Sequence, residues 1–224
     1  TCSMMSMQST TEKVSRAEYD LAPNLTIFGA VGGADNKFDG LTFTPTVQNA
    51  SGAYNATTSY YLVNSHTIST EAGVRAKFAT GPITHKVVVA GTYLDQKSQI
   101  PTLLSPAGFT GNIYRTNNPA RPALTGPNTG SSSALQLSGI ALTDTMYALN
   151  DRVQLTVGAR HQEIAGQGFS LAGVQTAAYD KSKVTPSAGI VVKPLEKLSL
   201  YANYIEAFTR GPVAPVGSSN VGQI

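Results

Sequence analysis

The chain has 224 residues, of which 41% are hydrophobic and 13% are charged, and its formal net charge is +3. No stretch approaches the ~18 consecutive apolar residues of a membrane-spanning helix, and the charged fraction is well below the ~25% typical of soluble domains. A small net charge without a Lys/Arg cluster argues against a nucleic-acid partner. The single cysteine, Cys2, excludes an internal disulfide and is interpreted as an incidental residue.

Four short turns divide the chain, and segments of alternating polar and apolar residues flank each of them. The turns lie at residues 22–24, 80–83, 150–152 and 193–197, and the long connections, rich in Gly, Ser, Thr, Asn and Pro, lie at 32–55, 97–134, 165–181 and 209–224. Tight turns on one side and long loops on the other are typical of outer-membrane β-barrels. We therefore predict an all-β fold, an antiparallel up-and-down transmembrane barrel wall of about eight strands in four hairpins.

The alternation also predicts which side chains share a face. The apolar side chains assigned to the lipid are Ala17, Tyr19, Leu21, Ile68, Ala72, Val74, Ala76, Phe78, Val153, Leu155, Val157, Ala159, Ala188, Ile190, Val192, Leu198, Leu200, Ala202 and Tyr204. The polar side chains assigned to the lumen include Arg16, Glu18, Asp20, Glu71, Arg75, Lys77, Thr156 and Arg160. These lumenal charges could pair across strands or with a plug, but we interpret them as solvated wall residues with some cross-strand pairing. The sequence does not determine which side chains of Val87-Val88-Val89, or of the strand near 135–149, face the lipid and which face the lumen.

Aromatic residues lie close to the short turns. Tyr19, Phe28, Phe78, Tyr147 and Tyr201 are each within a few residues of one. Amphipathic rings at that level are predicted to form an interfacial girdle, although aromatic residues also favour strands in general.

Two other architectures stay open. Eight strands also fit a complete small outer-membrane barrel, but such a barrel is expected to finish on a strand with a terminal aromatic residue. A soluble β-sandwich adhesin or binding module is the alternative from another class. Its core requires large side chains, whereas the faces here carry mainly Ala, Val and Gly.

Several motifs, in order along the chain, resemble those of TonB-dependent siderophore receptors. The first is Thr80-Gly-Pro-Ile-Thr-His85, and the second is Gly139-Ile-Ala-Leu-Thr-Asp144 with Leu149-Asn-Asp-Arg-Val and Val157-Gly-Ala-Arg160. The third runs from Tyr179 to Gly189 and continues through Val192–Tyr204 to Phe208. Together they cover the chain from about residue 67 onward.

The resemblance implies a 22-stranded barrel in the outer membrane, filled by an N-terminal plug and energised by the TonB complex. Residues 1–224 are then expected to be a partial barrel domain, with the plug and the C-terminal strands absent. The implied partners are a ferric siderophore, outer-membrane lipid and, through the missing plug, the TonB complex; no nucleic acid is expected.

Catalytic chemistry is not indicated by the sequence. His66, His85 and His161 are far apart in sequence and lack metal-ligand spacing, and no nucleophile-elbow motif occurs. We therefore expect no enzyme, no cofactor and no metal site. Ferric siderophores are often anionic or rich in aromatic catechol, so recognition is expected from aromatic and guanidinium groups in the loops. The candidate ligand-binding residues are Phe38, Tyr54, Tyr60, Tyr61, Phe109, Tyr114, Arg115 and Arg121.

Overall fold

A computed structural model describes residues 6–115, 120–209 and 211. The strands are β1 (Ser6–Ala22), β2 (Leu25–Val47), β3 (Ala53–Thr80), β4 (Ile83–Leu104), β5 (Phe109–Asn112), β6 (Ser131–Ala148), β7 (Val153–Ser170), β8 (Gln175–Leu195) and β9 (Leu198–Ile205). They form one antiparallel sheet in the order β1-β2-β3-β4-β6-β7-β8-β9, and β5 pairs with β3. In the described part of the chain, no helix is long and apolar enough to cross a membrane.

The sheet is a single open layer. Within the described residues β1 and β9 do not pair with each other and no second sheet packs on the first. The fold is therefore neither a complete eight-stranded barrel nor a β-sandwich. The predicted barrel wall of about eight long strands is confirmed, with the short strand β5 as an addition.

All four predicted turns join consecutive strands. In the turn that joins β6 to β7, Leu149, Asn150 and Asp151 have positive φ angles of 53°, 55° and 62°. This left-handed conformation is uncommon for residues other than glycine, Asn and Asp. We call the end of the sheet with these four turns the turn end, and the opposite end the loop end.

The long connections are shorter than predicted, because the strands continue beyond the expected boundaries. Only residues 48–52 separate β2 from β3, and only 171–174 separate β7 from β8. The connection from β4 to β6 spans 105–130 and contains β5. Three of the four predicted loop boundaries are thus wrong. The fourth segment, 209–224, lies outside the described residues except for 209 and 211, and Cys2 also lies outside them.

Register places one apolar row across the sheet. Tyr19, Ile27, Val74, Val89, Leu142 and Ala159 are successive cross-strand neighbours. We call this side the apolar face, and the side that carries Arg75, Lys77, Lys86, Thr143 and Arg160 the polar face. Val89 and Leu142, whose facing the sequence left open, lie on the apolar face.

The apolar face has no covering layer in the described residues. Val74 and Val157 are each 40% exposed, and Leu142 is 54% exposed. Among the residues described, few apolar side chains are buried; they include Leu41, Ala56 and Ile164. A wall that meets fluid lipid needs apolar surface but no packed core, which agrees with the predicted lipid face.

The predicted aromatic girdle is wrong for three of its five members. Tyr19 and Phe78 lie on the apolar face, but Phe28, Tyr147 and Tyr201 alternate onto the polar face. The reason is geometric, because register rather than side-chain type determines the face of a strand residue.

Candidate ligand-binding surface at the loop end

A ribbon of β2 and β3 forms the centre of the loop end. Pairing of β4 with β3 stops at Tyr60, whereas β2 and β3 stay paired as far as Val47 and Tyr54. The described part of β1 pairs with β2 from Ser6, which lies opposite Gly40. Beside this ribbon β5 takes the place that β4 has left, with Ala56 opposite Phe109. The connection 105–130 is therefore folded back on the sheet.

A small apolar cluster joins β5 to the ribbon. The Phe109 ring contacts Phe43 edge-to-face at 5.2 Å between centroids and Tyr54 at 6.3 Å. Leu41 and Ala56 are buried, with 5% and 4% of their surface exposed. Edge-to-face aromatic pairs at such distances stabilise beyond the area they bury, so this cluster fixes the connection in place.

Hydrogen bonds anchor both ends of the connection. The buried Thr58 hydroxyl donates to the carbonyl of Pro106 at 2.6 Å. Near the other end, Asn128 accepts from the Leu103 amide at 2.9 Å and donates to the Pro101 carbonyl at 2.8 Å. Each bond satisfies a backbone group that the strand ladder leaves free.

Two candidate residues, Tyr60 and Arg121, share one electrostatic environment with Asp39. A hydrogen bond to Asp39, together with partial burial, raises the pKa of the Tyr60 hydroxyl, which lies at the loop end beyond the membrane-spanning part of β3. The positive charge of Arg121 acts in the opposite direction and lowers that pKa. Phenol, carboxylate and guanidinium therefore form a polar cluster at the loop end.

The eight candidate residues do not form one site. Phe38 and Tyr61 lie on the polar face, whereas Tyr54, Tyr60 and Phe109 lie on the opposite face. The ring of Phe38 lies against buried Gly40, where a Cβ would come within 2.4 Å of the ring.

The two remaining candidates follow β5. Tyr114 is 74% exposed and lies over Gly52, and Arg115 forms an isolated bridge with Asn112. The structure thus separates the candidates into residues on the polar face, loop-packing residues and exposed residues. Sequence reasoning missed Phe43, Asp39 and Thr58, because their partners are distant in sequence.

At the turn end, His85 is part of a polar chain on the apolar face. Its Nδ1 lies 2.7 Å from Asp144 Oδ2, its Nε2 lies 2.5 Å from the Thr80 hydroxyl, and its ring stacks on Phe78 at 5.0 Å. With the proton on Nδ1, His85 donates to Asp144 and accepts from Thr80, which links β3, β4 and β6. No three His, Cys, Asp or Glu side chains converge on a metal position in the part of the chain described.

A family model described as TonB dependent receptor-like, beta-barrel matches residues 6–223. The chain belongs to this family. The ferrichrome receptor FcuA of Yersinia enterocolitica is 35% identical over 233 residues, covering 96% of this chain and 30% of FcuA. The resemblance that the motifs indicated is therefore confirmed, and this TonB-dependent receptor wall is located in the outer membrane.

Solved structures of siderophore receptors have a similar fold. BauA, the ferric preacinetobactin receptor from Acinetobacter baumannii, superposes with a TM-score of 0.80 at 29% identity, covering 96% of this chain and 33% of BauA. Fiu, the ferric-catecholate import receptor from E. coli K12, in its closed form, superposes with a TM-score of 0.77 over 97% of this chain and 36% of Fiu. At 17% identity the likeness to Fiu shows the fold alone. The chain spans about a third of the length of these relatives.

Proposed function

We propose that this chain forms part of the wall of a TonB-dependent receptor that takes up ferric siderophores. The observation that carries the proposal is the match of 96% of the chain to both FcuA and BauA, two receptors named for ferric chelates. The open strands β1 and β9 then continue into neighbouring strands of a larger barrel, for which we propose 22 strands. In this reading the apolar face contacts outer-membrane lipid, and the chain is a receptor wall without enzymatic chemistry or a cofactor.

The polar face then lines the lumen, so Phe38 and Tyr61 can contact a chelate that enters from the loop end. Aromatic rings stack on planar catechol groups or lie over cationic ones. Because the Phe38 ring is held against Gly40, its position is fixed before a ligand arrives, and this lowers the entropic cost of binding.

The guanidinium groups supply the charge that an anionic chelate requires. Arg115 follows β5 at the exposed tip beside Tyr114. Arg121 lies in the Tyr60–Asp39 cluster, on the side of the ribbon opposite Phe38 and Tyr61, and is proposed to meet the chelate above the loop end rather than inside the lumen. Arginine forms charge-assisted hydrogen bonds with carboxylate or catecholate oxygens. Tyr54 and Phe109 contribute indirectly, because they hold the connection that carries both arginines.

Transport is proposed to depend on the TonB complex, acting through a plug that fills the lumen. The test uses the full-length receptor in cells that lack other ferric-siderophore receptors, with and without TonB. We expect TonB-dependent uptake of at least one radiolabelled ferric siderophore from a panel of hydroxamates and catecholates. Absence of both binding and uptake for every chelate, with the receptor correctly inserted, would refute the proposal.

Two variants locate recognition within the loop end. Phe38→Ala with Tyr61→Ala is expected to weaken chelate binding, because both rings face the lumen. Tyr93→Ala is the matched control, since Tyr93 lies on the apolar face of β4, away from the ribbon. Equal chelate binding by the unmodified receptor, the Phe38→Ala/Tyr61→Ala double variant and the Tyr93→Ala control would show that the two lumen-facing rings do not contact the chelate.

A further inference from the structure

A shallow groove crosses the apolar face on strands β3, β4, β6 and β7. Its floor is formed by Ala72 and Gly91, which are cross-strand neighbours, and Tyr93, Ile140 and His161 line it as well. The space in the groove is about 510 Å³. A Cβ added to Gly91 would meet only the Ala72 carbonyl oxygen, at 3.9 Å, so no side chain fills the floor. We call this feature the lipid-side groove.

The lipid-side groove lies at the upper boundary of the apolar face. Tyr93 is opposite Thr70, which lies ten positions from the end of β3 at Thr80. At about 3.3 Å per residue and a strand tilt of about 40°, Tyr93 is ~25 Å above the turn end, where the apolar band of an outer-membrane barrel ends on its extracellular side. Gly91 and Ile140 lie one row lower. The groove therefore extends from the headgroup level into the hydrocarbon of the outer leaflet.

Hydrogen-bonding side chains form the upper rim of the groove. Ser138 and Glu163 follow Tyr93 in its cross-strand row, and the Ser138 hydroxyl donates to Glu163 Oε2 at 3.3 Å. In the next row, Asp95 Oδ2 accepts from Gln136 Nε2 at 3.1 Å. A carboxylate has about four acceptor positions, and the Glu163 side chain is 60% exposed. Both carboxylates thus keep the capacity to accept further hydrogen bonds.

The rim carries no surplus of positive charge. Among the described residues, neither Asp95 nor Glu163 forms an ion pair with a lysine or an arginine. His161 Nε2 lies 3.4 Å from Glu163 Oε1, and Lys97 is the next side chain beyond Asp95 on this face of β4. A headgroup above the groove therefore meets the two carboxylates before it meets Lys97.

We propose that the lipid-side groove binds one outer-leaflet lipid that has a saccharide headgroup. Its acyl chain lies over Ala72 and Gly91, and its sugar lies on the rim. Sugar hydroxyls donate charge-assisted hydrogen bonds to Asp95 and Glu163, and the C–H groups of the sugar pack on the electron-rich face of the Tyr93 ring. A phosphate headgroup fits less well, because both carboxylates repel it.

The lipid site and the path of the chelate lie on opposite faces of the wall. The inference rests on one part of the proposed function, namely that the apolar face contacts outer-membrane lipid. It does not depend on which chelate the lumen admits, because no side chain of the polar face contributes to the rim. The two proposals can therefore fail independently.

Native mass spectrometry of the full-length receptor, released from phosphatidylethanolamine nanodiscs, tests the lipid site. The nanodiscs contain monoglucosyl diacylglycerol and phosphatidylglycerol in equal amounts as competing probes. We expect the unmodified receptor to retain the glucosyl lipid about fivefold more often, which is the scale of one net hydrogen bond. Gly91→Leu fills the floor and should abolish this preference. Gly29→Leu is the matched control, since Gly29 lies in the same row on β2, where an added Cβ would meet only the Glu71 carbonyl oxygen, at 3.6 Å.

Charge changes at the rim test the headgroup separately from the acyl chain. Asp95→Asn with Glu163→Gln should weaken the preference for the glucosyl lipid, and Asp95→Lys with Glu163→Lys should reverse it in favour of phosphatidylglycerol. Asp180→Asn is the control, because Asp180 of β8 lies on the same face but outside the groove. Its loss should leave the preference unchanged.

Three results would overturn the inference: equal retention of the two probes by the unmodified receptor, a preference for phosphatidylglycerol, or unchanged retention in Gly91→Leu. Ferric-chelate uptake is measured in cells for the same variants and should stay at the unmodified rate in Gly91→Leu. Uptake without selective lipid retention overturns the lipid site alone. Selective retention by a receptor that binds no ferric chelate overturns only the proposed function in chelate uptake.

Discussion

Arginine at Val74 tests the assignment of the two faces. Val74 lies between Ile27 and Val89 on the apolar face, six positions from the end of β3 at Thr80. At about 3.3 Å per residue and a strand tilt of about 40°, this places it ~15 Å above the turn end, close to the bilayer midplane. Val74→Arg should therefore destabilise the folded receptor by ~2–4 kcal/mol.

Two further positions make the comparison quantitative. Val157 is as exposed as Val74, but it lies opposite Asp144 on the apolar face. One carboxylate oxygen of Asp144 is buried without a hydrogen-bond partner among the described residues. An arginine at Val157 can pair with that carboxylate, so Val157→Arg should cost less than Val74→Arg. Thr156→Arg, on the polar face, should cost under about 1 kcal/mol, because the lumen is polar.

The assay is urea unfolding of the full-length receptor in lipid vesicles, followed by circular dichroism and gel mobility. The expected order of destabilisation is Val74→Arg, then Val157→Arg, then Thr156→Arg. Equal penalties at Val74 and Thr156 would refute the assignment of the faces. A penalty at Val157 as large as that at Val74 would refute only the compensating role of Asp144.

Three other changes probe the loop end and the wall. Phe109→Ala should lower stability by about 1–3 kcal/mol and expose the loop that carries it to limited proteolysis, whereas Tyr114→Ala should not. The raised pKa of Tyr60 favours the neutral phenol in the folded state, so Tyr60 should stabilise the fold below pH ~10. This contribution should be lost as the pH rises through the pKa of the folded state. Absorbance titration should show that Asp39→Asn lowers the pKa of Tyr60. Gly73→Ala places a Cβ 2.5 Å from a neighbouring ring, so it should destabilise the receptor by about 1–3 kcal/mol in the same urea assay.

The sequence was most informative for strands in which an apolar face alternates with a polar face. In β3 the residues Val74, Arg75, Ala76 and Lys77 alternate between apolar and polar, so the sequence predicts both the strand and the face of each side chain. The tight turns were equally readable, since Pro, Gly, Asn and Asp are suited to turn geometry.

The loop boundaries were predicted wrongly because the apolar alternation is lost near the loop end. Where β2 and β3 continue beyond the membrane, for example at residues 41–47 and 53–59, much of the surface meets water and no apolar alternation is required. The strand pattern there is not distinguishable from that of a polar loop. β5 is even less visible, because four residues carry little periodicity and its pairing with β3 depends on a distant part of the chain.

Long-range partners define most of the site geometry. His85 and Asp144 are 59 residues apart, yet they bond at 2.7 Å because the register of β4 and β6 places them one row apart. Similarly, Phe109 reaches Phe43 only because β5 replaces β4 beside the ribbon. Residue types indicated what kind of chemistry is present, but sheet register determined which groups meet.

The open edges of the sheet determine whether residues 1–224 can fold stably on their own. β1 and β9 each expose a row of backbone N–H and C=O groups, which cost several kcal/mol apiece in lipid when unpaired. In water the apolar face is unfavourable as well, since side chains such as Leu142 and Ile140 are more than half exposed. The isolated sheet is therefore unstable both in lipid, where its edge backbone groups are unpaired, and in water, where its apolar face is exposed. Residues 1–224 alone should form inclusion bodies or detergent-dependent oligomers. Light scattering in plain buffer provides the check: a monodisperse monomer would mean that the edges are satisfied within the chain, and the assignment to a larger barrel would then be wrong.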